Sequence, residues 1–352
     1  RGITITAAAA TFPWENALVH LIDTPGHIDF TAEVERSLRV SDGAVVILSA
    51  VEGVEAQSEK VWHQAERYAI PKIAFINKLD RAGASFSRVL EEMDKKFGSC
   101  AMPIQVPVGE EDEFYAVVDL LKEKLICFEG EDSEQVREEA VPQGVEEDVA
   151  KYRERMLERL SDFSDEIAEC YLEGKGISEA QLKPVIRSLT LQKEIVPVLM
   201  GSAKNRLGIQ PLADALLDYL PSPADLGPVA AFEAKSGENV KIRPDESDPF
   251  AGLIFKVVAS KSADLLYLRT YAGRLRVGQT VVNTRTGEKI KIKQLLRLFA
   301  KTTKGVEAVG PGDIIGLIGQ RECGTGDTLC DFQRRVIFER MRFPEPVISV
   351  AV

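Results

Sequence analysis

Histidine is nearly absent from this chain: His20, His27 and His63 are the three in 352 residues. Zinc chemistry is therefore poorly supplied. Cysteine is little better represented. Cys100, Cys127, Cys170, Cys323 and Cys330 are scattered, odd in number and never spaced as C-x-x-C, so free thiols are expected rather than a disulfide framework or a metal ribbon. No apolar run approaches the roughly 20 residues that a bilayer-crossing helix needs. The opening residues, RGITIT, lack the basic-then-apolar pattern of a secretory leader. Positive charge is in deficit, 44 Lys and Arg against 55 Asp and Glu for a net charge of −11. That argues against a nucleic-acid binder with a basic surplus, although a local basic patch is compatible with an acidic whole. Also missing is a phosphate-binding loop of the form G-x-x-x-x-G-K-[S/T], which occurs nowhere in the chain.

What is present is a composition of 45% apolar and 28% charged residues, enough for a real core, over a length that implies two or three domains. The first part alternates strands and helices. Residues 17–23 (ALVHLID), 43–50 (GAVVILSA) and 72–77 (KIAFIN) are short apolar runs of the buried parallel-strand type. Helical patterns over 29–41 and 56–69 separate them, and a further strand is expected in 194–203 (EIVPVLMGSA). Strand–helix–strand alternation implies a parallel sheet with right-handed crossovers. Residues 98–189 interrupt that rhythm: 129–148 carry nine Asp or Glu and one Arg, and one long helical pattern follows over 149–174. After Pro228 short strands with Gly-rich turns take over, and Lys289-Ile290-Lys291-Ile292-Lys293 alternates at period two, so 229–333 reads as a small β-barrel.

Three short sequences fall in order at the ends of expected parallel strands, where such sheets bind ligands. The first is Asp23-Thr24-Pro25-Gly26-His27. Read plainly it is a strand end, a turn and a helix cap. Read chemically, Asp23 can hold Mg²⁺ directly or through water, Gly26 lets its N–H approach a phosphate, and His27 lies beside the terminal phosphate. The second is Asn77-Lys78-Leu79-Asp80. Asp80 can accept from guanine N1–H and the exocyclic amine, and adenine would leave that carboxylate unpaired. Lys78 would lie along the ring plane and Asn77 would brace the loop. The third is Gly201-Ser202-Ala203-Lys204, where the Ala203 N–H could donate to guanine O6. At the chain start, Thr4 could give a hydroxyl to Mg²⁺ and an N–H to a γ-phosphate. His20 and His63 read as structural, and Trp14 and Trp62 as core.

Taken together, RGITI, DTPGHIDF, DGAVVILSAVEGVEAQSE, NKLDRAGASF and GSA with GIQPLADALLDYLPSP resemble the translational GTPases, and among them the elongation factor G family. The 121 residues between Asp80 and Ser202 leave room for that family's inserted subdomain. The resemblance implies a P-loop-NTPase-like α/β G domain with an α+β insertion, followed by an all-β barrel. The segments would be 1–97 (G domain, first part), 98–189 (insert), 190–228 (last part and linker), 229–333 (barrel) and 334–352 (start of a third domain). It implies GTP and Mg²⁺ as ligands, Thr4 and Asp23 on the metal, and Ile3 as a hydrophobic gate. Gly26 would sense the γ-phosphate and His27 would orient the attacking water. Asn77, Lys78, Asp80, Ser202 and Ala203 would form the guanine pocket.

As partners it implies the ribosome, through rRNA and a stalk protein that the acidic insert would contact, with the tRNA–mRNA complex reached by domains outside this chain. No membrane, a monomer, and the cytoplasm or an organelle matrix are the matching expectations. The function implied is ribosome-dependent GTP hydrolysis coupled to translocation or to ribosome recycling. The alternatives are a non-hydrolysing ribosome-binding module and a release or tetracycline-protection relative. Where the family has its phosphate loop and most of its first switch, upstream of Arg1, this chain has nothing. The expectation is an internal fragment with weak or absent GTP binding and no activity by itself. Lys204 stands where the family often carries a larger apolar residue.

Overall fold

A computed structural model describes residues 7–24, 31–130, 133, 135–259, 264–299, 302–318 and 323–338. Of the expected site residues, Ile3, Thr4, Gly26 and His27 lie outside the described residues. The chain divides into two units, one made of residues 42–221 and the other of residues up to 41 together with those from 222 onward.

The second of these units begins with a hairpin. Strands β1 (Ala8–Trp14) and β2 (Ala17–Asp23) pair antiparallel in full register, from Ala8 opposite Asp23 to Trp14 opposite Ala17. A two-residue connection, Glu15-Asn16, with Glu15 at φ 48°, fixes that register. Residues 17–23 were expected in the parallel sheet; here they are not part of it. His20 Nδ1 is 3.0 Å from the Thr11 hydroxyl and its Nε2 is 3.1 Å from Asp313 Oδ1, so this histidine is structural. Burial alone would raise the Asp313 carboxyl, but His20, the Gly310 N–H and Arg297 outweigh it and hold it below the ordinary carboxylate range. Helix α1 (Thr31–Arg39) follows. Its Glu33 forms a 2.9 Å ion pair with Lys256, both side chains being nearly enclosed at 13% and 8% exposure. The Lys256 ammonium also donates to the Ala7 carbonyl, and the Arg269 guanidinium donates to the Val40 carbonyl. Burial pushes Glu33 up, yet Lys256 and Arg36 together leave it lowered.

In residues 42–221, β3 (Ala44–Ser49), α2 (Ala56–Arg67), β4 (Lys72–Asn77), α3 (Phe86–Phe97) and β5 (Ala101–Pro103) run in alternation. An antiparallel sheet comes next, in chain order: β6 (Gln105–Val108), β7 (Ala116–Asp119), β8 (Lys124–Glu129) and β9 (Gln135–Glu139). Helices α4 (Glu146–Ser161), α5 (Asp165–Leu172) and α6 (Glu179–Gln192) lead to β10 (Val196–Met200) and α7 (Ile209–Tyr219). Among the described residues the parallel sheet has the order β3-β4-β10-β5. β4 and β10 are buried at nearly every position, as a sheet covered on both faces requires. Trp62 and Phe97 stack at 4.0 Å between α2 and α3, Trp62 being fully buried.

Two expectations shift here. The insert was placed from residue 98, but β5 pairs parallel with β10 (Val196 opposite Ala101) and so belongs to the main sheet; three residues are too few to show a period. The single helix over 149–174 is two helices. Ser164 breaks it by capping α5, its hydroxyl accepting from the Ile167 N–H.

The remainder is β: α8 (Pro223–Leu226), then β11 (Val229–Glu233), β12 (Asn239–Ile242), β13 (Ala251–Val258), β14 (Leu265–Ala272), β15 (Leu275–Arg276), β16 (Thr280–Asn283), β17 (Lys289–Lys291), β18 (Leu295–Phe299), β19 (Thr302–Val306), β20 (Ala308–Val309), β21 (Ile314–Ile318), β22 (Thr328–Cys330) and β23 (Val336–Phe338). The main sheet runs β17-β16-β22-β13-β14-β21-β18-β1-β2, with β19 on β18. Residues 289–293 alternate exposed and buried as their period predicts. Residues 7–41, placed in the G domain by sequence, group by contact with this β unit, where β1 lies beside β18 (Ala10 opposite Phe299). Residues 336–338, placed in a third domain, pair antiparallel with β11 and close a small sheet with β12. The five cysteines are free, two of them buried. No helix among the described residues is long and apolar enough to cross a membrane.

Candidate nucleotide-base site

Three loops leave the C-terminal edge of the parallel sheet at one level. Ser49 lies opposite Asn77, and the last paired residue of β10, Met200, lies opposite Ile76. Backbone bonds stitch the loops together: the Ala50 N–H donates to Asn77 O (2.8 Å), the Gly201 N–H to Ile76 O (2.9 Å) and the Leu79 N–H to Gly201 O (3.2 Å). The sequence placed Asn77, Lys78, Asp80, Ser202 and Ala203 at strand ends, and the structure brings all five to this one edge.

Asn77 is the joint. Its side-chain Oδ1 accepts from the Lys78 N–H at 2.8 Å and from the Ala203 N–H at 2.9 Å, so one amide oxygen holds two loops 126 residues apart. Lys78 sits at φ 68°, a left-handed backbone that a side-chain-bearing residue adopts at a cost of about 1 kcal/mol. Its ammonium is 3.1 Å from Glu52 Oε2, and Ser49 donates its hydroxyl to the same carboxylate. That ammonium keeps the Glu52 carboxyl below its ordinary range.

The third loop is closed on itself. Ser202 and Leu207 exchange N–H···O bonds of 3.0 Å each. A Cβ on Gly201 would stand 2.1 Å from Leu207 O, so only glycine fits there. Ser202 is fully buried and its hydroxyl accepts from the Asn205 N–H at 3.3 Å. Ser202, expected in the guanine pocket, closes the loop from inside. The Ala203 N–H, expected to face guanine O6, donates here to Asn77 Oδ1. Asp80 is half-buried, and one of its oxygens accepts from the Asn205 side-chain amide at 3.3 Å. Lys204 is exposed, so its difference from the family's apolar residue costs the core nothing.

Sequence reasoning missed Glu52 and Asn205. Both sit in loops whose motif letters do not include them, and only the folded loops bring them to Lys78 and Asp80.

Asp23 ends β2 in the other unit, with its side chain exposed. No cluster of three or more His, Cys, Asp or Glu able to hold a metal exists among the described residues. An exposed strand-end carboxylate suits a cation held mainly by water and phosphate oxygens.

Residues 1–222 match the family described as the elongation factor Tu GTP binding domain, and residues 249–332 match elongation factor G domain 2. The chain is 46% identical to elongation factor G of Thermotoga maritima over its whole length, which is 51% of that protein. It is equally identical to elongation factor G 2 of Syntrophus aciditrophicus, covering 52% of it. The chain thus spans about half the length of the curated relatives it matches. A crystal structure of a Thermus thermophilus protein superposes with a TM-score of 0.81 at 26% identity, covering 97% of this chain and 49% of the other. The first match begins at residue 1, so it includes the hairpin and α1 that stand with the β unit. With residues 1–222 and 249–332 matched in that order, the chain belongs to the elongation factor Tu-type GTP-binding family, in the arrangement found in elongation factor G.

Proposed function

We propose that this chain is the G domain and second domain of a ribosome-dependent GTPase of protein synthesis, which couples GTP hydrolysis to tRNA–mRNA translocation or to ribosome recycling. The observation that carries the reading is Asn77 Oδ1 holding the Lys78 and Ala203 N–H groups together, because it builds a base-reading corner from two distant motifs. In that corner Asp80 accepts from guanine N1–H and the 2-amine, and Lys78 lies along the ring. Glu52 steadies the ammonium. Adenine, offering neither donor, leaves the base-facing lone pairs of Asp80 unpaired.

GTP supplies the phosphoanhydride that is hydrolysed and Mg²⁺ the charge that offsets its oxygens. Toward them this chain contributes Asp23 and Thr4 as metal-side oxygens, the Gly26 N–H toward the γ-phosphate, and His27 to orient the attacking water, with Ile3 as an apolar gate. Positioning and charge stabilisation are what phosphoryl transfer asks of a protein, so His27 need not be a strong base. Of the two alternatives, the non-hydrolysing ribosome-binding module is separated by turnover. The acidic insert, with Glu129, Glu138 and Glu139 beside a lone Arg137, is the surface that would meet a ribosomal stalk protein. The protein works in the cytoplasm or an organelle matrix, as a monomer.

The test is GTP hydrolysis by the full-length protein with and without ribosomes. Ribosome-stimulated turnover should fall about a hundredfold or more in His27→Ala. Turnover equal to wild type would end the role given to His27, and no stimulated turnover in the parent would favour the binding module. The 352-residue chain alone should bind GTP weakly; micromolar affinity by calorimetry would refute that.

A further inference from the structure

Asp80 does not stand free at the edge of the sheet. The Asn205 side-chain amide donates to its Oδ2 at 3.3 Å. Asn205 is itself held at both backbone ends: its N–H reaches the Ser202 hydroxyl at 3.3 Å, and its carbonyl accepts from the Ser133 hydroxyl at 3.2 Å. Arg206 follows at φ 60°, turning the chain back to the Ser202–Leu207 bridge. Ser133 lies between β8 and β9 in the inserted subdomain, and its carbonyl accepts from the Gln210 amide at the start of α7. Ser133 therefore bonds the base-reading loop on either side of Leu207.

We infer that Asn205 is a positioning residue that sets the orientation of the Asp80 carboxylate for guanine, and that the insert holds Asn205 in place through Ser133. This rests on the guanine reading given above. A carboxylate oxygen has two lone pairs, so one donor on Oδ2 leaves room for the base. The terminal torsion of aspartate is soft and broad, and a fixed neighbouring donor stops the carboxylate plane from swinging. Restricting it before the base arrives lowers the ordering cost of binding. The donor is a neutral amide, so the charge that favours guanine is not neutralised. A lysine or arginine at the same place would pair with Asp80 and compete with the base.

The experiment measures affinity for guanosine diphosphate by calorimetry in the full-length protein. Asn205→Ala should weaken binding about three- to fivefold, with the melting temperature unchanged because the side chain is exposed. Ser133→Ala should weaken it about twofold. Asn205→Asp has the same shape but turns the donor into a second carboxylate. It should lose about tenfold or more at about pH 7.5 and recover part of that near about pH 5.5, where the two carboxylates share a proton. A merely structural role would tolerate the isosteric change at both pH values. Asp80→Ala is the control for the site itself. If it leaves affinity unchanged, the guanine reading fails. If it abolishes binding while Asn205→Ala or Asn205→Asp binds as wild type does, the inference about Asn205 alone is overturned.

Discussion

The corner at Asn77 and the turn after Asp23 look alike in the sequence: each is an apolar run ending on an Asn or Asp and a turn. The fold treats them differently. β4 is a central strand of a parallel sheet, and its exit loop is bonded to those of β3 and β10. β2 is one arm of an antiparallel hairpin that sits in the β unit. A strand-end motif therefore becomes a site through the neighbours its strand acquires. For the first corner those neighbours lie in the same unit. The second corner depends on residues 25–30 and 1–6, which lie outside the described residues.

The comparison can be broken by substitution. Asp80→Ala should cost guanosine nucleotide affinity about a hundredfold or more, since two hydrogen bonds to a charged acceptor are lost. Asp23→Ala should leave the preference for guanosine over adenosine and inosine nucleotides unchanged; altered base preference in Asp23→Ala would mean that the two corners are not separable. Gly201→Ala forces a Cβ against the Leu207 carbonyl and should destabilise the unit of residues 42–221 by about 2 kcal/mol or more. Denaturation followed by Trp62 fluorescence reports on that unit, because Trp62 lies within it and is fully buried.

In the other unit, Lys256→Met leaves Glu33 without its nearly enclosed partner and should cost about 2 kcal/mol, read as a lower denaturation midpoint for α1 and the barrel and an unchanged one for Trp62. Glu33 is lowered below its ordinary 4.5, so its stabilisation is complete above that value and fades as pH falls through the folded value. Glu33→Gln should flatten the acid limb of the stability curve below about pH 4.5; an unchanged limb would mean that the pair contributes nothing. The smallest effect belongs to Glu52→Gln, where an exposed ion pair with Lys78 is lost and guanosine nucleotide affinity should change less than about twofold.

Much of the first corner was legible because KIAFIN and EIVPVLM are short, mostly apolar runs with turn residues after them, a pattern that suits a doubly covered strand. The barrel was legible in the period-two lysines. Less legible was β5: Ala101–Pro103 is three residues long and its membership rests on one parallel partner 95 residues away in sequence. The break at Ser164 was hidden because helical spacing continues through it; only the cap bond shows where one helix ends. The part Ser202 plays in closing its loop was not legible either, since it rests on a hydroxyl that accepts from the Asn205 N–H three residues on.

Chemistry and order, then, belong to the sequence itself: which residue types stand at which strand ends, that a carboxylate at Asp80 follows the end of β4, and that an acidic insert separates the motifs. Partnership was decided only by the tertiary structure. Hydrogen bonds and buried pairs such as Asn77 with Ala203, Asp80 with Asn205, and Glu33 with Lys256 join residues 125 or more positions apart. Such contacts exist only once packed cores have met the entropy of bringing those distant segments together, and no local pattern in the chain records them.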